Sequence, residues 1–302
     1  MKENLDPDVA EMFRLQKLAG AERDAIRAHN IDIVRQQSDS ARRRFSPQIG
    51  LPVDSIIDET IPGPVEEIRI RVIRPKGIVE PRPTVLYFHG GAFALGNLDS
   101  HEGQARRIAN LTNSVVINVD YRLAPEHQFP APIEDAVAAY EWVLDNIEKY
   151  GGDSNRIGLA GDSAGGNIAL VTATILAQRG LPVSAQLLAY PVTDWTSADH
   201  GTVAETYFGE NFENLLTHPH ASPVASDSLD RIAPWVLGVG MHDFLYEENL
   251  KFVNISKNAG TKGQAFYYPN LPHGFLGMTG VSEACQKAAD EMITAFGELL
   301  NR

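Results

Sequence analysis

IGLA at residues 157–160 runs directly into GDSAGG at residues 161–166. This pattern predicts a buried strand, a sharp turn that carries Ser163, and a helix that begins directly after the turn. Such a turn strains the serine backbone and requires small residues two positions away on each side, which Gly161 and Gly165 supply. The first amides of the helix would point at the site, where they can stabilise a negatively charged oxygen. The stretch therefore predicts a nucleophilic serine.

A second motif, HGGAF at residues 89–93, follows TVLYF at residues 84–88, which is typical of a buried strand. Two glycines at the end of a strand leave backbone amides exposed. Attack on an ester carbonyl places negative charge on its oxygen, and each preorganised amide donor contributes on the order of 3 kcal/mol to stabilising it. We expect the amides of Gly90 and Gly91, with that of Ala164 as the third donor, to form an oxyanion hole.

The expected general base lies near the end of the chain. LPHGF at residues 271–275 follows the short predicted strand AFYY at residues 265–268 and precedes the last predicted helix. A histidine alone is weak evidence, because the chain has nine of them and most histidines in proteins have no catalytic role. The position of His273, after the serine and after a candidate acid, makes it the preferred base.

The preferred acid is Asp243, which follows another predicted buried strand, WVLGVG at residues 235–240. A carboxylate at this position would accept the ring N–H of His273, fix its tautomer and stabilise the imidazolium formed during attack. Asp194, which also follows a predicted strand, is the main alternative, and Glu247 is a further one.

In order and spacing these motifs resemble the hormone-sensitive-lipase-like family of α/β-hydrolases, the bacterial carboxylesterases of that group. The resemblance covers nearly the whole chain. It also includes DYRLAPEH at residues 120–127, FPAP at 129–132, Asp135, DFLYEE at 243–248 and HGF at 273–275. The resemblance implies that Ser163, Asp243 and His273 form a catalytic triad. It also implies that the substrates are short- to medium-chain carboxylic esters.

Two residues depart from the family pattern. Phe244 follows the acid where the family usually has proline, and Ala92 stands where the family often has a third glycine. The loop still contains Gly90 and Gly91, whose amides are the expected donors. We expect His89 to hold this loop by hydrogen bonding rather than to act on the substrate.

The length and composition of the chain fit one α/β domain with a small accessory region. The chain has 302 residues, of which 43% are hydrophobic, so it can bury a large core. Alternating strand and helix patterns predict the α/β-hydrolase fold, with a mostly parallel central sheet of eight strands flanked by helices. We predict strands at 54–60, 66–74, 84–88, 115–120, 156–161, 186–190, 235–240 and 265–268, and the clearest helices at 132–149, 164–179 and 283–300.

The first fifty residues lie outside this alternation and predict two helices. Asp6 is a suitable N-cap, Pro7 suits the first helical position and Gly20 suits the stop, and a second helix is predicted to reach about Gln37.

We expect residues 1–50 to form the N-terminal part of a helical cap and residues 51–302 to form the catalytic domain. The family resemblance implies that an insertion at about 195–227 completes the cap over the site, where it would shape the substrate pocket and exclude water. The alternative is that the N-terminal segment is an extension that covers a sheet face.

No metal and no organic cofactor are expected. The sequence has no His-Glu-x-x-His run, no cysteine cluster, no dinucleotide fingerprint and no Walker motif. His218-Pro219-His220 is interpreted as a solvated loop, because proline separates the histidines and no third ligand pattern lies nearby. Cys285, the only cysteine, cannot form an internal disulfide and is expected to be buried on the last helix.

Net charge and the absence of long apolar runs limit the expected partners. The formal net charge of −13 disfavours nucleic acid and anionic membrane surfaces. No signal-peptide core or apolar stretch of membrane-spanning length is present, so a cytoplasmic location is expected, with export by an unreadable signal as the alternative. The last predicted strand, with Phe266, Tyr267 and Tyr268, is expected at the sheet edge, and an uncovered apolar edge favours pairing with another subunit. The family often dimerises that way, so a homodimer is expected.

The expected function is that of a serine carboxylesterase acting on a small-molecule ester. One alternative is an enzyme of the same mechanism whose substrate is an amide, a lactone or an acetylated sugar. Another is a non-catalytic ligand receptor, because plant hormone receptors that resemble this family have lost the catalytic histidine. His273 is present here, which disfavours the receptor.

Overall fold

The computed structural model describes residues 4–18, 30–46, 50–77, 81–197, 200–210 and 212–302. The strands in this part of the chain are β1 (Ser55–Ile61), β2 (Ile68–Arg74), β3 (Arg82–Phe88), β4 (Val115–Asp120), β5 (Gly152–Asp162), β6 (Ala185–Ala189), β7 (Trp235–His242) and β8 (Gly263–Pro272). The α-helices are α1 (Pro7–Leu18), α2 (Ile31–Phe45), α3 (Glu102–Thr112), α4 (Ala131–Asn146), α5 (Ala164–Gln178), α6 (Thr202–Phe208), α7 (Tyr246–Asn258) and α8 (Glu283–Leu300).

The eight strands form one sheet in the order β1-β2-β4-β3-β5-β6-β7-β8. β2 is antiparallel to both of its neighbours, whereas every pair from β4 to β8 is parallel. The predicted sheet, with eight mostly parallel strands, is confirmed, and β8 lies at its edge as expected. The helices α3 and α8 pack together, as do α4 and α5, and these two pairs flank the sheet.

Continuous apolar runs explain the central strands. Every residue of β3 and of β6 is buried, as is nearly all of α5, because strands in the middle of a parallel sheet are covered on both faces. Since parallel strands have their carboxyl ends at one edge, the loops after β3, β5, β7 and β8 come together there.

The N-terminal helices are less deeply buried. The N-cap prediction is confirmed, because the Asp6 carboxylate accepts a hydrogen bond of 3.1 Å from the Val9 amide. The predicted helix stop, Gly20, lies outside the described residues. The second helix was predicted too short, since α2 continues to Phe45.

Three helices were missed by the sequence reasoning, namely α3, α6 and α7. α3 and α7 bury polar side chains such as Gln104 and Glu248. These residues interrupt the apolar pattern by which a helix is recognised in a sequence. Cys285 is buried on α8, as predicted. No described helix is long and apolar enough to cross a membrane.

Candidate active site

Ser163 lies on the turn between β5 and α5. Its backbone has φ 54° and ψ −117°, a conformation that is strained for a residue with a side chain. A Cβ atom on Gly161 would lie 2.1 Å from the carbonyl oxygen of Gly165, and a Cβ atom on Gly165 would lie 2.0 Å from that of Phe88. The requirement for glycine on both sides of the serine is therefore confirmed.

The structure brings Ser163, His273 and Asp243 into one hydrogen-bonded chain. Nε2 of His273 lies 2.8 Å from Oγ of Ser163, and Nδ1 lies 2.9 Å from both carboxylate oxygens of Asp243. The Asp243 side chain is fully buried. A proton on Nδ1 therefore has a carboxylate acceptor, which leaves the lone pair of Nε2 facing the serine hydroxyl.

Close contact between the ends of β7 and β8 places the acid beside the base. A Cβ atom on Gly240 would lie 2.1 Å from the carbonyl oxygen of Leu271, so this approach requires glycine. The Leu245 amide donates a hydrogen bond of 2.8 Å to the Asp243 carboxylate and holds it in the turn that follows β7.

The two alternative acids lie elsewhere. Asp194 pairs with Lys251 and accepts hydrogen bonds from the amide and hydroxyl of Thr196. Burial acts to raise the pKa of Asp194, but the donors Lys251 and Thr196 outweigh it and hold the pKa below its usual value. Glu247 is exposed in the first turn of α7. Neither carboxylate takes part in the chain of hydrogen bonds around His273.

Two aromatic rings contact His273 that the motif analysis did not predict. The Tyr190 ring meets it edge-on, with the ring centroids 4.9 Å apart, and the Tyr190 hydroxyl accepts a 3.1 Å hydrogen bond from the Leu276 amide. The centroid of the Phe244 ring lies 4.6 Å from that of His273, although Phe244 is 61% exposed. Phe244 stands where the family usually has proline. This departure was the one sign in the sequence that the residue after the acid differs in its role.

The loop after β3 has left-handed backbone at three consecutive residues. The φ angles are 138° at Gly91, 54° at Ala92 and 60° at Phe93. The Gly90 amide donates a 2.9 Å hydrogen bond to Asp162. This bond corrects the expectation for Gly90, because an amide that donates to a buried carboxylate is not free to bind a substrate oxygen.

The amides of Gly91, Ala92 and Ala164 are available instead. Within the described part of the chain, none of these three amides donates a hydrogen bond to a turn, a loop or a side chain. Glycine is required at residue 91, since a Cβ atom there would lie 2.0 Å from the carbonyl oxygen of Leu95.

A buried polar network fixes the base of this loop. Asp162 accepts a 2.7 Å hydrogen bond from the Tyr87 hydroxyl, and burial raises the pKa of its carboxyl group. The Nδ1 atom of His89 lies 2.9 Å from the Gly90 carbonyl oxygen, and the Tyr121 hydroxyl donates a 2.7 Å hydrogen bond to the His89 carbonyl. Burial lowers the pKa of His89 to about 4, so its ring is neutral near pH 7 and its Nδ1–H can donate to Gly90.

The two clustered histidines form no metal site with other side chains. Nδ1 of His218 accepts a 3.1 Å hydrogen bond from the backbone amide of His220. Across the described ranges, no group of three or more His, Cys, Asp and Glu side chains is arranged to hold a metal ion.

Comparison with known proteins places this geometry in a family. Residues 85–277 match a family model described as the α/β hydrolase fold. Esterase LipI of Mycobacterium tuberculosis is 34% identical over 298 aligned positions, which cover 90% of this chain and 89% of LipI. Carboxylesterase NlhH of the same organism is 32% identical over 253 positions, which cover 78% of this chain and 79% of NlhH.

Solved structures agree with this assignment. A hyperthermophilic esterase from the archaeon Pyrobaculum calidifontis is 34% identical, and it superimposes with a TM-score of 0.86 over 97% of this chain and 98% of its own. A thermostable carboxylesterase cloned from a metagenomic library superimposes with a TM-score of 0.83 at 31% identity, over 90% of this chain and 98% of its own. The fold defines an α/β-hydrolase. Within this class, the chain belongs to the hormone-sensitive-lipase-like family.

Proposed function

We propose that the protein is a serine carboxylesterase that hydrolyses short- to medium-chain carboxylic esters through an acyl-enzyme intermediate. The observation that carries this proposal is the continuous chain of hydrogen bonds from Asp243 through His273 to Ser163. The similarity to esterases and carboxylesterases supports ester hydrolysis as the reaction.

In the first step, Oγ of Ser163 attacks the ester carbonyl carbon while Nε2 of His273 takes the hydroxyl proton. The imidazolium is stabilised by the Asp243 carboxylate. When the tetrahedral intermediate collapses, the bond between the carbonyl carbon and the alcohol oxygen breaks. His273 then gives its proton to that oxygen, so that the alcohol leaves neutral.

In the second step, water repeats the sequence on the acyl-enzyme. His273 takes a proton from the attacking water, the new tetrahedral intermediate forms, and the bond to Ser163 Oγ breaks as His273 returns the proton. The carboxylic acid is released and the free serine is regenerated.

The amides of Gly91, Ala92 and Ala164 stabilise the oxyanion in both steps. Their availability supports this assignment, and Gly90 has instead a positioning role through its bond to Asp162. Ala164 lies at the first position of α5, where the amides are free of intrahelical partners and the helix dipole favours negative charge.

We further propose that residues 1–50 and the insertion at about 195–227 form a cap that shapes the substrate pocket. Stacking between the insertion and the oxyanion loop supports this role. The Phe93 ring lies parallel to that of Tyr207, with centroids 3.8 Å apart, and Trp195 packs against both rings. All three side chains are buried, so they form an apolar contact that joins the insertion to the oxyanion loop.

The proposed assembly is a homodimer paired through the edge strand β8. Tyr267 on this strand is 38% exposed, and an exposed apolar edge favours pairing with another chain. Analytical ultracentrifugation at several concentrations tests this proposal, and a monomer at all concentrations would contradict it. A cytoplasmic location stays a prediction.

Hydrolysis of p-nitrophenyl acetate, butyrate, octanoate and dodecanoate by the full chain tests the reaction. Activity that peaks on the shorter acyl chains and disappears in Ser163→Ala is the expected result. Anilides, lactones and acetylated sugars assayed in parallel test the alternative substrates, because an amide nitrogen must be protonated as it leaves whereas an activated phenol need not be. No serine-dependent activity on any of these compounds would overturn the proposal.

A further inference from the structure

The oxyanion loop, residues 90–95, has a backbone conformation that is unfavourable without contacts from the rest of the protein. Left-handed φ angles at Ala92 and Phe93 are unfavourable for residues with side chains. A conformation of this kind persists when surrounding contacts hold it. The contacts that fix the loop are therefore part of what positions the oxyanion donors.

Most of these contacts come from the sheet and its nearest turns. Asp162 fixes the Gly90 amide, as described above, and the Ala124 amide donates a 2.9 Å hydrogen bond to the Phe93 carbonyl oxygen. Ala94 continues the turn, since its amide donates to the Gly91 carbonyl oxygen at 3.1 Å. A displacement of Ala94 would thus be transmitted to residue 91, whose amide is a proposed donor.

The Ala94 carbonyl is bound from the N-terminal segment. Nε of Arg35, on α2, donates a 2.9 Å hydrogen bond to this oxygen. The two terminal nitrogens of the same guanidinium donate 2.8 Å hydrogen bonds to the two carboxylate oxygens of Glu126, and one of them also donates a 3.1 Å bond to the Ala124 carbonyl. The side chain of Arg35 is 25% exposed.

This geometry uses the planar guanidinium as a rigid connector. Two parallel bonds to Glu126 fix the plane of the group, which then directs Nε at Ala94. The Arg35 donors hold the pKa of Glu126 below its usual value, so the ion pair is present near neutral pH. The carbonyl oxygens of Ala94 and Ala124 are thus both held by the Arg35 side chain of α2, and the Phe93–Ala124 hydrogen bond joins the same two segments.

We propose that Arg35 is a positioning residue of the reaction, through which the docking of α2 sets the geometry of the oxyanion donors. This inference rests on the proposed esterase function. It gives α2 a role in the chemical step in addition to the proposed role in shaping the pocket. Arg35 does not contact the substrate, and it acts through the loop that carries Gly91 and Ala92.

The kinetic test compares Arg35→Met with Arg14→Met in the full chain, using p-nitrophenyl butyrate. Arg14 is a matched control, because it belongs to the same N-terminal segment but pairs with Glu11 on the exposed face of α1. We expect Arg35→Met to lower kcat by about 10- to 100-fold with KM nearly unchanged, since a small displacement of oxyanion donors has effects of this size. Arg14→Met should keep the kcat of the parent protein.

A spectroscopic readout separates positioning from general loss of structure. The probe is an aliphatic trifluoromethyl ketone labelled with ¹³C at its carbonyl carbon. Ser163 Oγ adds to this carbon, the carbonyl π electrons move to the oxygen, and the serine proton goes to His273, so the adduct carries an oxyanion in the proposed hole. A less well placed set of donors raises the pKa of that oxygen, by about one to two units for a 10- to 100-fold effect, and the ¹³C shift measures it.

Each outcome has a distinct meaning. A folded Arg35→Met variant with the kcat and the ¹³C titration of the parent would overturn the positioning role and leave the esterase proposal intact. A parent protein that neither hydrolyses esters nor forms the adduct would overturn both. If Arg35→Met does not fold, Arg35→Lys replaces it: a single ammonium cannot bind Ala94 and both oxygens of Glu126 in one plane, so a reduced kcat and a raised adduct pKa are again expected, and parent values would contradict the proposal.

Discussion

The carboxyl edge of the sheet and the N-terminal helices meet at the same site, but different contacts hold them. Ser163, Asp243 and His273 follow strands whose backbones are bonded to neighbouring strands, and Asp243 is completely buried. In α1 and α2, by contrast, Val9, Met12 and Val34 are the described residues that become buried. Their attachment relies more on side-chain hydrogen bonds such as those of Arg35. The comparison indicates that substitutions at the carboxyl edge should abolish catalysis, whereas changes in α1 and α2 should lower kcat only moderately.

Ser163→Ala is expected to have the largest effect. Loss of the nucleophile should lower kcat by about four to six powers of ten, because the remaining groups cannot form the acyl-enzyme. Since the substitution removes one hydroxyl at a site already built for a small residue, the melting temperature should change little. Steady-state kinetics with p-nitrophenyl butyrate and a thermal melt measure both quantities. A variant with ordinary turnover would show that the chemistry does not depend on this edge.

The two buried aspartates at the carboxyl edge give the second test. Asp243→Asn should lower kcat by about 10⁴-fold, because an amide in place of the carboxylate favours the wrong tautomer of His273. Asp194→Asn should reduce stability instead, by about 1–3 kcal/mol, since it weakens bonds to Lys251 and Thr196. Kinetics and urea unfolding of the two variants separate these effects. A larger loss of kcat in Asp194→Asn would reverse the assignment of the acid.

Removal of residues 2–46 tests the helices as a whole and should have a smaller effect on the reaction than either active-site change. The deletion removes α1, α2 and the Arg35 contacts, so kcat should fall by about 10- to 100-fold. The preference among acyl chain lengths should also change, because the proposed cap helps to shape the pocket. Circular dichroism and a thermal melt show whether the sheet domain remains folded. A folded, truncated protein with the original substrate profile would contradict the proposed cap.

Much of the sheet edge could be predicted from the sequence, because its signals are local. A buried parallel strand is a continuous apolar run, and the residue after such a run lies at the carboxyl edge, as Ser163 and Asp243 do. The strand ends and the glycines around the serine were predictable for this reason. The contacts of the oxyanion loop were not. The bond from Gly90 to Asp162 joins residues 72 positions apart, and that from Arg35 to Ala94 joins residues 59 positions apart.

Polar side chains inside the fold explain the missed helices in a similar way. The pattern that identifies a helix assumes an apolar buried face, whereas α7 buries Glu248, Asn249 and Ser256. Each of these groups has a partner from outside α7, which the sequence of α7 alone does not indicate. Glu248, for example, accepts a 2.7 Å hydrogen bond from the amide of Thr193, which follows β6.

Glu248→Gln should have the smallest effect and tests whether this buried contact supports the sheet edge without taking part in the chemistry. Burial raises the pKa of Glu248 to about 8, so the folded protein keeps a proton that the unfolded chain releases near its ordinary pKa. The stabilisation is therefore complete at pH values below that ordinary pKa and is lost as the pH rises through about 8.

Glutamine at this position stays neutral at every pH, so the parent should lose melting temperature relative to Glu248→Gln between about pH 5 and about pH 9. The expected relative change is about 2–4 °C for each kcal/mol lost, and kcat at neutral pH should be nearly unchanged because Glu248 does not contact the triad. Thermal melts of both proteins across this range measure the difference. If the melting temperatures of the two proteins changed with pH in parallel, the titration of Glu248 would not be the cause of the change. A fall in kcat of Glu248→Gln as large as that of Asp243→Asn would show that Glu248 is needed for catalysis and not only for stability.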